Sequence, residues 1–219
     1  GQFQYRCEME VDNSSYVIAS SDGKTLYSIA DEGVVAFRIL ENGSLARLNS
    51  ASIRGMRGCH LCTDAEDKYV FVSGYHDGKA TVLSLNPDGS VGSIVDGVFD
   101  KGYGSVAEWN LRTHVYCTRR TTDVKYVMSV NNGIAQVRIY RFTEKEQKLK
   151  QVDAIRCDLE SAPRHFRFSA DGRFIYLIYE LKTKIDVFSY KTGERAPIIE
   201  KIQTVSTTST ENPGVMTAA

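Results

Sequence analysis

The sequence predicts an all-β fold, a β-propeller whose blades each have four antiparallel strands. The first observation is a polar turn that recurs four times and is each time followed by an apolar run rich in β-branched and aromatic residues. These turns occupy residues 21–24, 65–68, 122–125 and 170–173. The second observation is their spacing, because their basic residues at 24, 68, 125 and 173 are 44, 57 and 48 positions apart. A period of about 45 residues is typical of a propeller blade.

Within each repeat the sequence shows four strand-like runs, which in the first repeat cover 16–20, 24–29, 34–40 and 45–52. Asn42-Gly43 and Asp88-Gly89 lie between such runs and are strong hairpin signals. The long middle spacing indicates an extra loop through residues 102–110. We therefore expect one domain over 1–219, with blades at about 14–53, 58–99, 113–156 and 163–205.

Charge and composition exclude some classes of partner. Lys and Arg total 27, and Asp and Glu also total 27, so a zero net charge argues against a nucleic-acid partner. The apolar runs have the length of strands, and residues 1–6 are polar, so we expect no membrane span and no signal peptide. Five cysteines are an odd number, and free thiols favour a cytoplasmic location.

Blade geometry predicts where a functional site could lie. In a blade, the start of the first strand and the end of the second strand meet on one face, at the mouth of the central channel. The first strands begin near His60, near His114 and at Arg164-His165. The second strands end at Asp31, Tyr75, Asn131 and Glu180, with His76 just beyond Tyr75. Histidines, an arginine and carboxylates therefore converge on one channel mouth.

The chemistry of His114, Arg164 and Glu180 suits a catalytic site. Histidine titrates near neutral pH, glutamate can act as a base, and arginine can bind a carboxylate or phosphate with two hydrogen bonds. The alternative is that these polar residues only line a water-filled channel. A metal site is not expected, because Cys59 and Cys62 are three apart in a strand and their thiols should diverge.

Several motifs together resemble the lactonase family of seven-bladed propellers, which includes the bacterial propeller-type 6-phosphogluconolactonase and the fungal carboxymuconate cyclase. The motifs are Gly58-Cys59-His60-Leu61, Arg112-Thr113-His114, Ala162-Pro163-Arg164-His165-Phe166, Asp171-Gly172-Arg173-Phe174-Ile175-Tyr176 with Glu180-Leu181, and Ile202-Gln203-Thr204-Val205-Ser206. The resemblance covers nearly the whole chain.

The resemblance implies a cofactor-free site that opens or closes a lactone ring. By position, His114, Glu180 and Arg164 match the family's catalytic residues, with a further arginine expected beyond the end of this chain. Either Glu180 or His114 would activate water, and Arg164 would stabilise the oxyanion or bind an anionic group. The implied substrate is a small anionic lactone such as 6-phosphogluconolactone, of the pentose phosphate pathway. The implied substrate contacts are His60, Arg112, Asn131 and His165.

The third repeat departs from the family pattern. Thr113 stands where the family has proline, and Val124 stands where it has a turn glycine. Val124 should cost stability if its position needs a positive φ. The competing hypotheses are a non-catalytic propeller that binds a small anion or a protein partner, and an inactive fragment of such a lactonase.

The length indicates an incomplete propeller. A chain of 219 residues contains about four and a half periods, so we expect four complete blades of a seven-bladed fold. Residues 1–11 are predicted to be the last strand of an earlier blade, and residues 212–219 the approach to a next one.

Overall fold

The fold is an arc of four blades in a computed structural model that describes residues 2–104 and 112–208. Blade 1 contains β1 (Val17–Ala19), β2 (Thr25–Ala30), β3 (Gly33–Ile39) and β4 (Leu45–Ser52). Blade 2 contains β5 (His60–Thr63), β6 (Tyr69–Gly74), β7 (Lys79–Leu85) and β8 (Val91–Phe99). Blade 3 contains β9 (Val115–Arg120), β10 (Tyr126–Asn131), β11 (Gln136–Arg141) and β12 (Lys150–Arg156). Blade 4 contains β13 (Pro163–Phe168), β14 (Phe174–Tyr179), β15 (Lys184–Lys191) and β16 (Ile198–Ser206).

Each blade is a separate four-stranded sheet with its strands in chain order, and all neighbouring strands pair antiparallel. The predicted fold class is therefore confirmed. Across the described ranges there is no helix, and so none long and apolar enough to cross a membrane.

The apolar core lies between neighbouring blades, because both faces of a blade are covered. Phe71 of blade 2 packs in one cluster with Phe142 of blade 3, and Met128 of blade 3 packs in another with Phe166 of blade 4. Every residue of β6 and of β10 is buried. This explains why β6 and β10, in the two inner blades, have nearly continuous apolar runs in the sequence.

The recurring turns of blades 1, 3 and 4 share a hydrogen-bonding pattern. In blade 1, Ser20 Oγ and the Lys24 amide both donate to Asp22 Oδ1, at 2.7 and 3.0 Å. Blades 3 and 4 repeat the pattern at Asp123 and Asp171. An aspartate that accepts backbone and hydroxyl donors two residues away fixes such turns.

Val124 occupies the turn position that has a positive φ. Its φ is 54°, and the corresponding Gly23 and Gly172 have φ values of 69° and 71°. The expectation of a strained valine at this position is confirmed, because a β-branched residue is disfavoured in the left-handed region.

Replacing Val124 with glycine should raise the free energy of unfolding by about 1 kcal/mol, since glycine removes the left-handed strain at little loss of burial. Val124 is 41% exposed, so few contacts are lost. Urea unfolding of V124G and V124A measures the effect. V124A keeps the Cβ but lacks the β-branch, so it should recover only part of the gain; a V124G variant no more stable than the parent would show that the positive φ carries no strain.

The prediction of a strand over residues 1–11 is wrong for the described residues 2–11, which form no strand. A β-strand needs a neighbouring strand to satisfy its backbone groups, and no described strand pairs with this segment. The expected approach to a next blade at 212–219 and most of the predicted loop, residues 105–110, lie outside the described residues.

Candidate active site

Two β-bulges place side chains at the channel mouth. In blade 3, Asn131 pairs with Val115 and Val130 pairs with Cys117, so Tyr116 is the extra residue of β9. In blade 4, Pro163 pairs with Tyr179 and His165 with Ile178, so Arg164 is the extra residue of β13. A bulge redirects the side chain of its extra residue. Tyr116 and Arg164 therefore occupy equivalent positions in adjacent blades.

Arg164 is held by an ion pair and by an aromatic face. Its Nη1 lies 3.3 Å from Glu180 Oε2, and its guanidinium carbon lies 4.4 Å from the centre of the Tyr116 ring. Asn132 Nδ2 donates to the same Oε2 of Glu180 at 3.2 Å. The side chains of Arg164 and Glu180 are 20% and 36% exposed, so a ligand can reach both.

His114 is oriented by Tyr75. The His114 ring stacks on the Tyr75 ring with centroids 4.3 Å apart, and His114 Nδ1 lies 2.7 Å from the Tyr75 carbonyl oxygen. A carbonyl can only accept, so Nδ1 must carry a hydrogen. In the neutral imidazole, Nε2 then has the lone pair that can accept a proton.

Two tyrosine rings connect His114 to the arginine–glutamate pair. The Tyr75 and Tyr116 rings meet edge to face at 5.7 Å. Burial raises the pKa of both phenols, so both hydroxyls stay protonated and can donate hydrogen bonds. We call the following residues the mouth cluster: Tyr75, His114, Tyr116, Asn132, Arg164 and Glu180. The structure thus brings the three predicted catalytic residues into one contiguous group, with no direct contact described between His114 and the other two.

Asn131 lies beneath the mouth cluster. It is fully buried, its Oδ1 accepts the His114 amide at 3.0 Å, and its Nδ2 donates to Asp100 Oδ2 at 2.7 Å. Both ends of its amide are therefore used inside the protein, which argues against the predicted substrate contact. Asn131 instead positions the backbone of His114.

Asn132 is the residue that the sequence prediction missed, by one position. Asp31, Tyr75 and Glu180 each follow the last residue of a second strand, and in blade 3 the corresponding residue is Asn132. The signal was present in the sequence. Counting every repeat from its turn would have placed Asn132, and not Asn131, beside Glu180.

His60 and His165 lie further along the first strands of their blades than the mouth cluster; His165, for example, follows Arg164 in β13. His60 is fully buried, and the centroids of the two imidazole rings are 5.7 Å apart. Burial, followed by nearby arginine charges, lowers the pKa of His60 well below its usual value and that of His165 to about 4. Its burial argues against His60 as a substrate contact. His165 is partly exposed and lines a cavity between blades 1 and 4 with Tyr16.

One group of possible metal ligands occurs among the described residues: His60, Cys117 and His165, whose ligand atoms lie within 4.8 Å of one another. Arg119 Nη2 lies 3.4 Å from His60 Nε2 and donates to its lone pair. Burial also raises the pKa of the Cys117 thiol to about 11. Because the positively charged Arg119 guanidinium contacts the neutral His60 imidazole and the Cys117 thiol is protonated, this group does not favour binding of a metal cation.

The Cys59 and Cys62 thiols contact different elements. Cys59 Sγ lies 3.5 Å from the Val115 and Tyr116 carbonyl oxygens, whereas Cys62 Sγ lies 3.1 Å from the Thr63 carbonyl oxygen.

Arg112, the remaining predicted substrate contact, lies outside the mouth cluster. It is exposed and lines a separate cavity that also includes His76 and Thr113.

Solved structures support the fold. A Bacteroides fragilis protein that carries a provisional 6-phosphogluconolactonase name superposes with a TM-score of 0.83 at 30% identity, covering 94% of this chain and 60% of that one. The periplasmic gluconolactonase of Pseudomonas aeruginosa has a TM-score of 0.83 at 23% identity, over 94% of this chain and 61% of that one, which shows the fold alone.

Sequence relatives agree with the structural neighbours. A 6-phosphogluconolactonase of Bacillus subtilis is 29% identical over 202 residues, 90% of this chain and 56% of that protein. An uncharacterised protein of Staphylococcus epidermidis is 30% identical over 192 residues, 84% of this chain and 55% of that protein. The chain thus spans little more than half the length of these relatives. Residues 4–219 match the family described as lactonase, 7-bladed beta-propeller. Together with the four-blade arc, this match places the chain in the lactonase family of seven-bladed β-propellers.

Proposed function

We propose that this chain carries the hydrolytic site of a lactonase that opens 6-phosphogluconolactone or a related sugar lactone. The observation that carries the proposal is the mouth cluster, which combines a histidine in a defined tautomer with an arginine held by Glu180 and Tyr116. The name of the Bacillus subtilis relative supports this choice of substrate class.

His114 is the better general base of the two candidates. Glu180 Oε2 already accepts the Arg164 guanidinium and the Asn132 amide, at 3.3 and 3.2 Å. His114 donates from Nδ1 to a backbone carbonyl, which leaves Nε2 to take a proton from water. Glu180 then acts on Arg164, by holding the guanidinium in place.

The reaction needs a base and an oxyanion donor. Water attacks the lactone carbonyl carbon while His114 Nε2 takes one of its protons, and the carbonyl oxygen becomes an oxyanion beside Arg164. The ring carbon–oxygen bond then breaks, and the proton on His114 passes to the leaving oxygen. The product is the open hydroxy acid.

A binding-only propeller is the second candidate. It is favoured by the aromatic rings of Tyr75 and Tyr116, which lie between His114 and Arg164. In such a protein Arg164 would hold a small anion without any reaction.

The test is hydrolysis of freshly prepared 6-phosphogluconolactone by the chain and by H114Q, each corrected for spontaneous hydrolysis. We expect the variant to lose about 10²- to 10⁴-fold in kcat, the range for a general base. Equal rates for the two proteins would remove His114 from the mechanism. A parent rate no higher than the spontaneous one would favour the binding-only propeller.

The thiols suggest the compartment. All five cysteines are free, and burial raises the pKa values of Cys59, Cys117 and Cys157. We infer a reducing compartment such as the cytoplasm, where free thiols persist.

A further inference from the structure

A cavity of about 320 Å³ lies at the opposite end of the channel from the mouth cluster. It forms where β5, β9 and β13 run into their turns, and Thr121, Thr122 and Val124 of the blade 3 turn lie in its wall. Arg119, which also lines it, follows Tyr116 of the mouth cluster by three residues along β9, a rise of about 10 Å. The cavity shares no residue with the mouth cluster.

Strand register places two arginines of this cavity at equivalent positions in adjacent blades. Arg119 in β9 and Arg167 in β13 each pair with the third residue of the second strand of their blade. Cys62 occupies this position in blade 2. All three residues line the cavity, so two cationic groups from adjacent blades lie at one level of the channel.

The third arginine of the cavity, Arg120, is neutralised within the protein. Its Nη1 donates to Asp64 Oδ2 at 2.8 Å, and its Nε donates to the Val124 carbonyl oxygen at 3.0 Å. The side chains of Arg120 and Asp64 are both buried in this ion pair. Among the described residues that line the cavity, Asp64 is the only acidic one, and Arg120 already balances its charge.

Arg119 has only neutral acceptors among the described residues. Its Nη1 lies 3.5 Å from Cys62 Sγ and its Nη2 lies 3.4 Å from His60 Nε2, while its buried Nε has no described hydrogen-bond partner. Burial raises the pKa of the Cys62 thiol and lowers the pKa of His60 well below its usual value. Both groups are therefore uncharged near neutral pH, and neither balances the charge of Arg119.

Arg167 is exposed and has no ion pair or hydrogen bond with any residue that the structure describes. The neighbouring imidazole reports the excess positive charge, because burial, followed by arginine charges that include Arg119 and Arg167, lowers the pKa of His165 to about 4. Two unbalanced guanidinium groups thus line one cavity, an arrangement that attracts anions.

We propose that the turn end of the channel binds a small dianionic oxyanion between Arg119 and Arg167. The remaining N–H groups of the two guanidiniums donate to its oxygens, and its two negative charges balance theirs. A tetrahedral dianion and a short dicarboxylate share this chemistry. The site is independent of the proposed lactonase, because it lies at the other end of the channel. The bound anion links blades 3 and 4, so it stabilises the folded chain by mass action.

The first test is calorimetric titration of the chain with sulfate, a tetrahedral dianion, and with malonate, a dicarboxylate, at a constant ionic strength set by sodium chloride. We expect binding, and the tighter of the two anions identifies the class of ligand. R167Q should weaken this binding at least about tenfold, the effect of losing a charge-assisted hydrogen bond. The matched control is R173A, which removes an exposed arginine from a turn of the same blade and should bind like the parent. Absence of binding to the parent, or equal affinities of R167Q and R173A, overturns the proposal.

A further variant separates the two ends of the channel, because the mouth cluster also contains an arginine. R164Q should retain the affinity that R167Q loses. R119K keeps the charge but lacks the planar guanidinium, so it should retain only part of the affinity. Loss of binding in R164Q with full binding in R167Q would place the anion at the mouth and overturn the proposal.

Nitrogen NMR of the arginine side chains gives a readout that does not depend on stability. Sulfate should shift the Nε–H signals of Arg119 and Arg167, which are assigned from the spectra of R119K and R167Q. The Arg173 signal should stay in place, because that side chain is paired with Asp171 at the surface. Equal shifts of all three signals would show general screening by salt and no site at the turn end.

Discussion

R164A is expected to lower kcat for lactone hydrolysis by about 10²- to 10³-fold, the cost of removing one oxyanion donor. The guanidinium of Arg164 is held by Glu180 at 3.3 Å and by the Tyr116 ring at 4.4 Å. Alanine would remove the positive charge and leave Glu180 facing the developing negative charge of the oxyanion. Initial rates with 6-phosphogluconolactone at saturating substrate measure the loss.

Two further variants make this result interpretable. R173A removes an exposed arginine from the same blade, whose guanidinium contacts its neighbours Asp171 and Phe174, and should retain the parent rate. R164K keeps the charge but loses the planar contact with Tyr116, so it should recover only part of the rate. A rate in R164A equal to that of R173A would contradict the assignment of Arg164 as the oxyanion donor.

G133A is expected to lower the free energy of unfolding by about 3 kcal/mol, because the backbone has no room for the added methyl group. A Cβ there would overlap the Arg112 carbonyl oxygen and lie 2.9 Å from His114 Cδ2. Since a carbonyl cannot move aside as a flexible side chain can, the segment that carries His114 must shift. Activity should therefore fall as well.

Urea unfolding and lactone hydrolysis of G133A measure both effects, with G97A as the control. Gly97 lies in β8, where a Cβ would meet Lys79 Cε at 3.1 Å, so that this side chain must shift by a few tenths of an ångström, and would meet no other atom closer than 3.6 Å. We expect G97A to change stability by less than about 1 kcal/mol. Parent-like stability and activity in G133A would show that the close backbone contact between Gly133 and Arg112 does not hold the His114 segment in place.

Much of the fold could be predicted because a blade is specified locally. Its strands are joined by short turns, and the turn chemistry at Asp22, Asp123 and Asp171 recurs with the repeat. The strain at Val124 was equally predictable, since the matching turns of blades 1 and 4 carry glycine. The segment 2–11 was predicted wrongly, because whether a run becomes a strand depends on a partner strand that a local pattern does not identify.

The candidate site was predictable only in part, because the predicted substrate contacts His60 and Asn131 are buried and Arg112 lies outside the mouth cluster. His114, Arg164 and Glu180 lie together at the mouth as expected, because strand ends at a known period must meet on one face. Asn131 and Asn132 are adjacent, and the count of residues from each turn, which leads to Tyr75 in blade 2 and to Glu180 in blade 4, leads to Asn132 in blade 3, the residue that reaches Glu180. A shift of one residue moves a side chain to the opposite face of a strand.

The sequence by itself determined the blade period, the turn chemistry and the residues that arrive at the channel mouth, because each depends on contacts between near neighbours in the chain. Only the tertiary structure decided which of those residues are accessible at the channel mouth and which are buried. The burial of His60 and the cavity beside Arg112 result from packing between different blades, whereas the bulges at Tyr116 and Arg164 are shifts of strand register within blades 3 and 4. Such packing brings together residues about 50 positions apart in the chain. The repeat period predicts how far along the channel a side chain lies, but it does not predict which way the side chain points.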